Sequence, residues 1–131
     1  MKETNDLRQE LMEAPDLDSF QNTTACETLC CLFQKSRLSK ATLAKRSGMS
    51  EVYLHQVFSG RRTPSRSRLI CLCFGLKATI DETQSMLKQC GYAELYPKNK
   101  RDAITLYGFL HNKSLFDAND MLYDQEEETL F

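Results

Sequence analysis

Leu38-Ser-Lys-Ala-Thr-Leu-Ala-Lys-Arg-Ser-Gly48-Met-Ser-Glu-Val-Tyr-Leu-His-Gln-Val-Phe-Ser-Gly60 is the stretch on which the fold turns. Ser39 stands where an N-cap belongs, and a helix over Lys40 to Arg46 turns Leu43 and Ala44 inward. Gly48 follows the last turn, the position that calls for a left-handed backbone. Ser50 then caps a second short helix, which runs to about Ser59 and is stopped by Gly60. Ala44 is small enough for that second helix to cross close above it, and Met49, Leu54 and Val57 fill the angle between the two. With Leu54 and Val57 at the centre of the buried side and a turn of roughly 100° per residue, Val52, His55, Gln56 and Ser59 point outward. Glu51 and Tyr53 fall on the flanks.

The surrounding charge suits this outward face. Residues 35–68 hold nine Lys or Arg against Glu51 alone, a balance of +8, whereas residues 1–34 carry −5 and residues 69–131 carry −4. A whole-chain charge of −1 therefore conceals a basic centre between acidic flanks. Such a local field attracts a polyanion. A short capped helix with a polar outer side, set in that block, meets the needs of a major-groove reader. The groove admits one helix, and base edges require donors and acceptors.

Outward from this core the chain reads as helical throughout. Hydrophobic residues make up 41% and charged residues 27% of the 131, which excludes wholesale disorder. Five Gly and three Pro leave room for helices and argue against a loop-rich sandwich. A helix spans about Thr24 to Lys35 with Ala25, Leu29, Leu32 and Phe33 at helical spacing. Pro64-Ser65 opens another, with Leu69, Ile70, Leu72 and Cys73 as its core face and its end near Gly75. Thr79-Ile-Asp-Glu82 has the form of a capping box, and the helix it opens is closed by Gly91. Residues 100–112 form a further helix, and Ser114 caps the last. Residues 1–20 hold a short acidic helix capped by Asn5, with Leu7 and Leu11 on one face and Pro15 at its end. The acidic tail after Tyr123 is expected to fray. Three parts follow: an N-terminal arm or helix (1–22), a helix-turn-helix domain (23–92), and a helical extension (93–131) that completes the core or serves dimerisation.

The ordered set Leu43-Ala44, Gly48, Met49-Ser50, Leu54, Val57, Gly60 and Pro64, with the apolar helix after the Pro, resembles the helix-turn-helix of the phage repressor and Cro type. This is also known as the XRE class of bacterial regulators. The resemblance covers roughly residues 26–80 and implies an all-α, lambda-repressor-like five-helix domain followed by additional C-terminal helices. It implies sequence-specific binding of double-stranded DNA by a cytoplasmic, nucleoid-associated bacterial or phage transcriptional regulator, a repressor acting as a homodimer. Residue by residue, Glu51, Val52, His55 and Gln56 would read bases. Gln56 can pair with adenine, His55 can donate to guanine, Val52 can touch a thymine methyl, and Glu51 can accept from a cytosine amine. Ser39, Lys40, Ser50, Tyr53, Ser59, Arg61, Arg62, Thr63 and Arg66 would meet the phosphate backbone, with Arg68 a weaker candidate. Three positions depart from the family's habit. Lys40 replaces a frequent Gln, Phe58 a frequent Glu, and Glu51 places a carboxylate at the start of the reading helix.

Other chemistries find less support. Cys26-x3-Cys30 has a spacing that zinc allows, but Cys71-x-Cys73 is a poor second half, and the six cysteines read as reduced core thiols. His55 and His111 form no metal-binding pair, and there is no phosphate loop or nucleophile elbow, so neither an enzyme nor a cofactor is expected. The longest apolar run, Leu69 to Leu76, is far below the roughly 20 residues that span a bilayer, and the first residues lack the apolar region of a secretory signal, so no membrane partner is expected. The competing reading is a protein-interaction module or antitoxin-like adaptor on the same fold, engaging a partner through its acidic flanks or C-terminal helices. Lys98, Lys100 and Arg101 read as a helix-start loop balanced by Asp102.

Overall fold

Five of the seven described helices start on a Ser or Thr whose hydroxyl accepts a hydrogen bond from the backbone N–H of the third helical residue. The computed structural model describes residues 17–131, with side chains from residue 25 onward. Its helices are α1 (Leu17–Ser36), α2 (Lys40–Ser47), α3 (Glu51–Phe58), α4 (Arg66–Leu76), α5 (Ile80–Gln89), α6 (Lys100–Leu110) and α7 (Leu115–Asp124), and no strand occurs among the described residues. The caps are Ser39, Ser50, Ser65, Thr79, Asn99 and Ser114 for α2 to α7 in order. At Thr79 the capping box is reciprocal: Thr79 accepts from the Glu82 N–H, and the Glu82 carboxylate accepts from the Thr79 N–H. The short helix expected over Asn5 to Pro15 lies outside the described residues. α1 reaches back beyond the expected Thr24 to Leu17, so the boundary drawn after residue 22 falls inside a continuous helix.

α4 is the axis of the molecule. Every residue from Leu69 to Leu76 is buried, not only the four-residue face that the apolar periodicity marks. α1, α2, α5 and α7 all pack against it, so no side is left for solvent. The close approach of α2 explains Gly75. A Cβ there would overlap the Ser47 hydroxyl and come within 2.9 Å of Leu43 Cδ1. The sequence reads Gly75 as a terminator, but α4 runs to Leu76 and ends on Lys77, a left-handed non-glycine residue with φ 56°. Gly75 serves packing instead.

The C-terminal half is built into the same core. Leu115, Ala118, Leu122 and Leu130 join Leu29, Leu43, Leu54 and Leu69 in one buried cluster. Phe109 of α6 stacks on Phe74 of α4 with ring centroids 3.9 Å apart. The Gln84 side chain straps the connecting loop, donating to Leu95 O at 3.0 Å and accepting from Leu95 N–H at 2.8 Å. The expected fraying of the tail is not observed at its last residues. Arg101 Nε donates to Glu128 O at 2.7 Å, Leu130 N–H donates to the Asn119 side-chain oxygen at 2.7 Å, and Leu130 is buried. Composition marks the segment as acidic, but its attachment is made through backbone carbonyls, which composition does not register.

Candidate nucleic-acid interface

α3 is positioned by three constraints. The turn before it has Gly48 in the left-handed region (φ 66°), its N–H directed to Ala44 O and Lys45 O. The hydroxyl of Ser50 accepts from Tyr53 N–H at 3.0 Å, fixing the start of α3. Leu54 and Val57, 0% and 2% exposed, seat its inner side. Met49 packs against the same core as a partly buried plug. On the opposite side Glu51, Val52, His55 and Ser59 are exposed and Gln56 is half-exposed. Val52 is 68% exposed, an apolar side chain left in water on a face otherwise polar. None of the described helices covers this face.

Phe58 turns inward. Its ring stacks on Phe33 of α1 with centroids 4.9 Å apart. Its carbonyl, at the end of α3, accepts from Cys26 Sγ at 3.1 Å, with Cys30 Sγ at 3.8 Å. The C-terminus of α3 is thus satisfied by thiols of α1. All six cysteines are free thiols. Cys71 and Cys73 are buried, as core thiols should be, but Cys31 is exposed. Among the described residues no group of three or more His, Cys, Asp or Glu is arranged to hold a metal.

The proposed backbone contacts divide into two groups. Ser39, Lys40, Ser50, Ser59, Arg61, Arg62 and Thr63 are all exposed around α2 and α3. The start of α2 carries no carboxylate, so its free N–H groups and dipole end are open to an anion. Tyr53 is half-buried and serves as a platform: the guanidinium carbons of Arg62 and Arg68 lie 5.3 and 4.6 Å from its ring centroid. That brings Arg68 into the patch more firmly than its sequence position suggests, because Tyr53 and Arg68 meet only through tertiary packing.

Arg66 goes elsewhere. Its guanidinium donates to Ala93 O at 2.9 Å, to Glu94 O at 3.3 Å and to Asp102, with a 3.3 Å ion pair. Asp102 also accepts from Tyr96 N–H at 3.0 Å. The expectation that Arg66 grips phosphate is corrected on this geometry: the group is committed to the loop between α5 and α6. Lys100 and Arg101 are likewise turned to backbone carbonyls, Gln125 O for Lys100 and Glu128 O and Thr129 O for Arg101.

Two contacts link the face internally. Lys40 Nζ lies 3.4 Å from His55 Nδ1, and Arg62 Nε donates to Gln56 Oε1 at 2.9 Å. The first joins the start of α2 to the middle of α3, and the second folds the following loop back along α3.

A family model described as a helix-turn-helix domain matches residues 7–86. Comparison with curated proteins and with solved structures gives no match. No helix among the described residues is long and apolar enough to cross a membrane.

Proposed function

This chain belongs to a helix-turn-helix domain family, and from that premise we propose that it is a sequence-specific double-stranded DNA-binding regulator of the phage repressor and Cro (XRE) type. The observation that carries the reading is the division of α3: Leu54 and Val57 are sealed into the core while Glu51, Val52 and His55 lie exposed and Gln56 half-exposed on the other side. In this reading those four residues face base edges. Ser39, Lys40, Ser50, Ser59, Arg61, Arg62 and Thr63 meet phosphates, with Tyr53 holding Arg62 and Arg68 in place. The DNA-binding unit runs to about residue 92 and includes the whole of α1 from Leu17, and residues 93–131 complete its core. The protein acts by occupying its site as a cytoplasmic bacterial or phage transcriptional regulator.

A second copy is part of this reading, since domains of this type commonly read two half-sites about one turn of DNA apart. α6 supports it by leaving Tyr107 and Leu110 49% and 68% exposed. Beside them a groove of about 440 Å³ runs between α6 and α7, lined by Ile104, Tyr107 and Met121.

Duplex binding measured against salt tests the reading. Arg62→Ala and Lys40→Ala should each weaken binding to all sequences and reduce the log–log salt slope by ~0.9 for each phosphate no longer neutralised. Unchanged affinity in both variants would show that the assigned face is wrong. Failure of the wild type to hold any duplex at about 150 mM salt would favour the protein-partner module.

A further inference from the structure

The donors and acceptors of the reading face are set within the protein before any duplex arrives. Lys40 Nζ sits 3.4 Å from His55 Nδ1. An ammonium can only donate, so this contact requires the lone pair on Nδ1, and the imidazole then carries its proton on Nε2. Lys40 thereby removes the ring's acceptor and leaves a donor directed away from α2. Arg62 does the same for its neighbour. A guanidinium has no acceptor, so the 2.9 Å contact from Nε fixes the Gln56 oxygen toward Arg62 and turns the amide NH2 away. Arg62 is itself held by its backbone N–H, which donates to Gln56 O at 3.2 Å, and by the Tyr53 ring.

Resting on the DNA-binding reading, we propose that Lys40 and Arg62 are positioning residues for specificity: they convert His55 and Gln56 into hydrogen-bond donors, so that the C-terminal half of α3 selects guanine. Guanine presents two acceptors to the major groove, N7 and O6. Adenine pairs an acceptor with an N6 donor, thymine offers the single acceptor O4 beside its methyl group, and cytosine presents only its N4 donor, so guanine alone offers two acceptors. A Gln free to use both ends of its amide would pair with adenine. Gln56, with its oxygen engaged by Arg62, meets guanine instead. This replaces the adenine pairing that residue type alone suggests for Gln56.

The experiment is selection of bound duplexes from a random pool with the full chain, repeated for Arg62→Met, Lys40→Met, His55→Ala and Gln56→Ala. The two alanine variants identify the positions read, because each erases the preference beneath it. At those positions the wild type should enrich guanine, and exchanging that guanine for adenine should weaken binding roughly tenfold. Arg62→Met frees the amide oxygen and should move the Gln56 position toward adenine. Lys40→Met should relax the His55 position. A uniform loss of affinity would accompany both, but a merely structural role would not change base identity. Enrichment of adenine by the wild type, or identical preferences in wild type and both methionine variants, overturns the proposal. Wild-type binding to a site carrying 7-deazaguanine at the read positions gives a check independent of variant folding: undiminished affinity also overturns it. Absence of any enriched sequence instead overturns the DNA-binding reading itself.

Discussion

Cys71 and Cys73 show how burial decides the chemistry of a residue. Removal from water pushes both thiols up to about 12, from 9.0, because a thiolate loses its hydration in the core. An unfolded thiol therefore releases its proton at a pH where the folded one retains it. This contribution to stability is complete below pH 9 and is lost between there and about pH 12. Thermal melts across that interval should show a falling Tm, and Cys73→Ala should flatten the fall relative to the wild type. At pH 8 an alkylating reagent should modify exposed Cys31 first and reach Cys71 and Cys73 only after denaturation, since the thiolate is the nucleophile; mass spectrometry of the labelled peptides decides. Ser47 gives the opposite case to ordinary core truncation. Its hydroxyl is buried, with no hydrogen-bond partner among the described residues. Ser47→Ala should thus leave stability unchanged or raise it by up to ~1 kcal/mol in urea titration. Residue identity alone predicts the burial of Leu54 and Val57, because helical spacing places them together. It could not predict that Arg66 would leave the charged face, because its partners Ala93, Glu94 and Asp102 lie 27 to 36 positions away.

At the scale of elements, capping chemistry is local, and the starts of α2, α3, α5 and α7 were legible from Ser or Thr followed by a helical pattern. Helix ends and packing glycines were less so. Gly48 and Gly75 both stand near helix ends in the sequence, yet they answer different demands. Gly48 has φ 66° and closes α2, whereas Gly75 is inside α4 and opens space for α2. The two should respond differently to alanine. Gly75→Ala drives a methyl into Ser47 and Leu43 and should cost about 1–3 kcal/mol by overpacking, with partial rescue when combined with Ser47→Ala. Gly48→Ala strains the backbone by about 1–2 kcal/mol and sets a Cβ 3.1 Å from the Phe131 ring, which must shift; Ser47→Ala should relieve neither. Urea midpoints of the single and double variants separate these mechanisms. The candidate site shows the same division. The outward set Val52, His55 and Gln56 follows from periodicity, but the Lys40–His55 and Arg62–Gln56 contacts depend on how α2 and the loop after α3 fold against α3, which no spacing rule encodes.

For the whole molecule, the question is whether residues 93–131 merely follow the helix-turn-helix or hold it. The tail answers structurally. Arg101 fixes Glu128 and Thr129 by their carbonyls. Leu130 enters the core at 3% exposure, and its carbonyl accepts from Cys71 Sγ at 3.7 Å. The Phe131 ring lies so near the α2–α3 turn that a Cβ on Gly48 would be 3.1 Å from it. It also meets Phe116 of α7 edge-on at 5.5 Å. One short segment thus touches α4, α7 and the turn that aims α3. Leu130→Ala should cost about 2–4 kcal/mol, as for other buried leucines. Phe131→Ala, at a position 53% exposed, should cost less than about 1 kcal/mol, yet it strips the turn of its aromatic cover. Hydrogen exchange discriminates local from global effects. Phe131→Ala should speed exchange at the Met49 amide, which donates to Ala44 O at 3.0 Å, while the interior amides of α4 keep their protection. Leu130→Ala should speed both, because the core that α4 organises would open with it. If neither variant changes exchange at Met49, the turn is held by Gly48 and the α2–α4 packing alone, and the C-terminal segment covers the domain without bracing its reading helix.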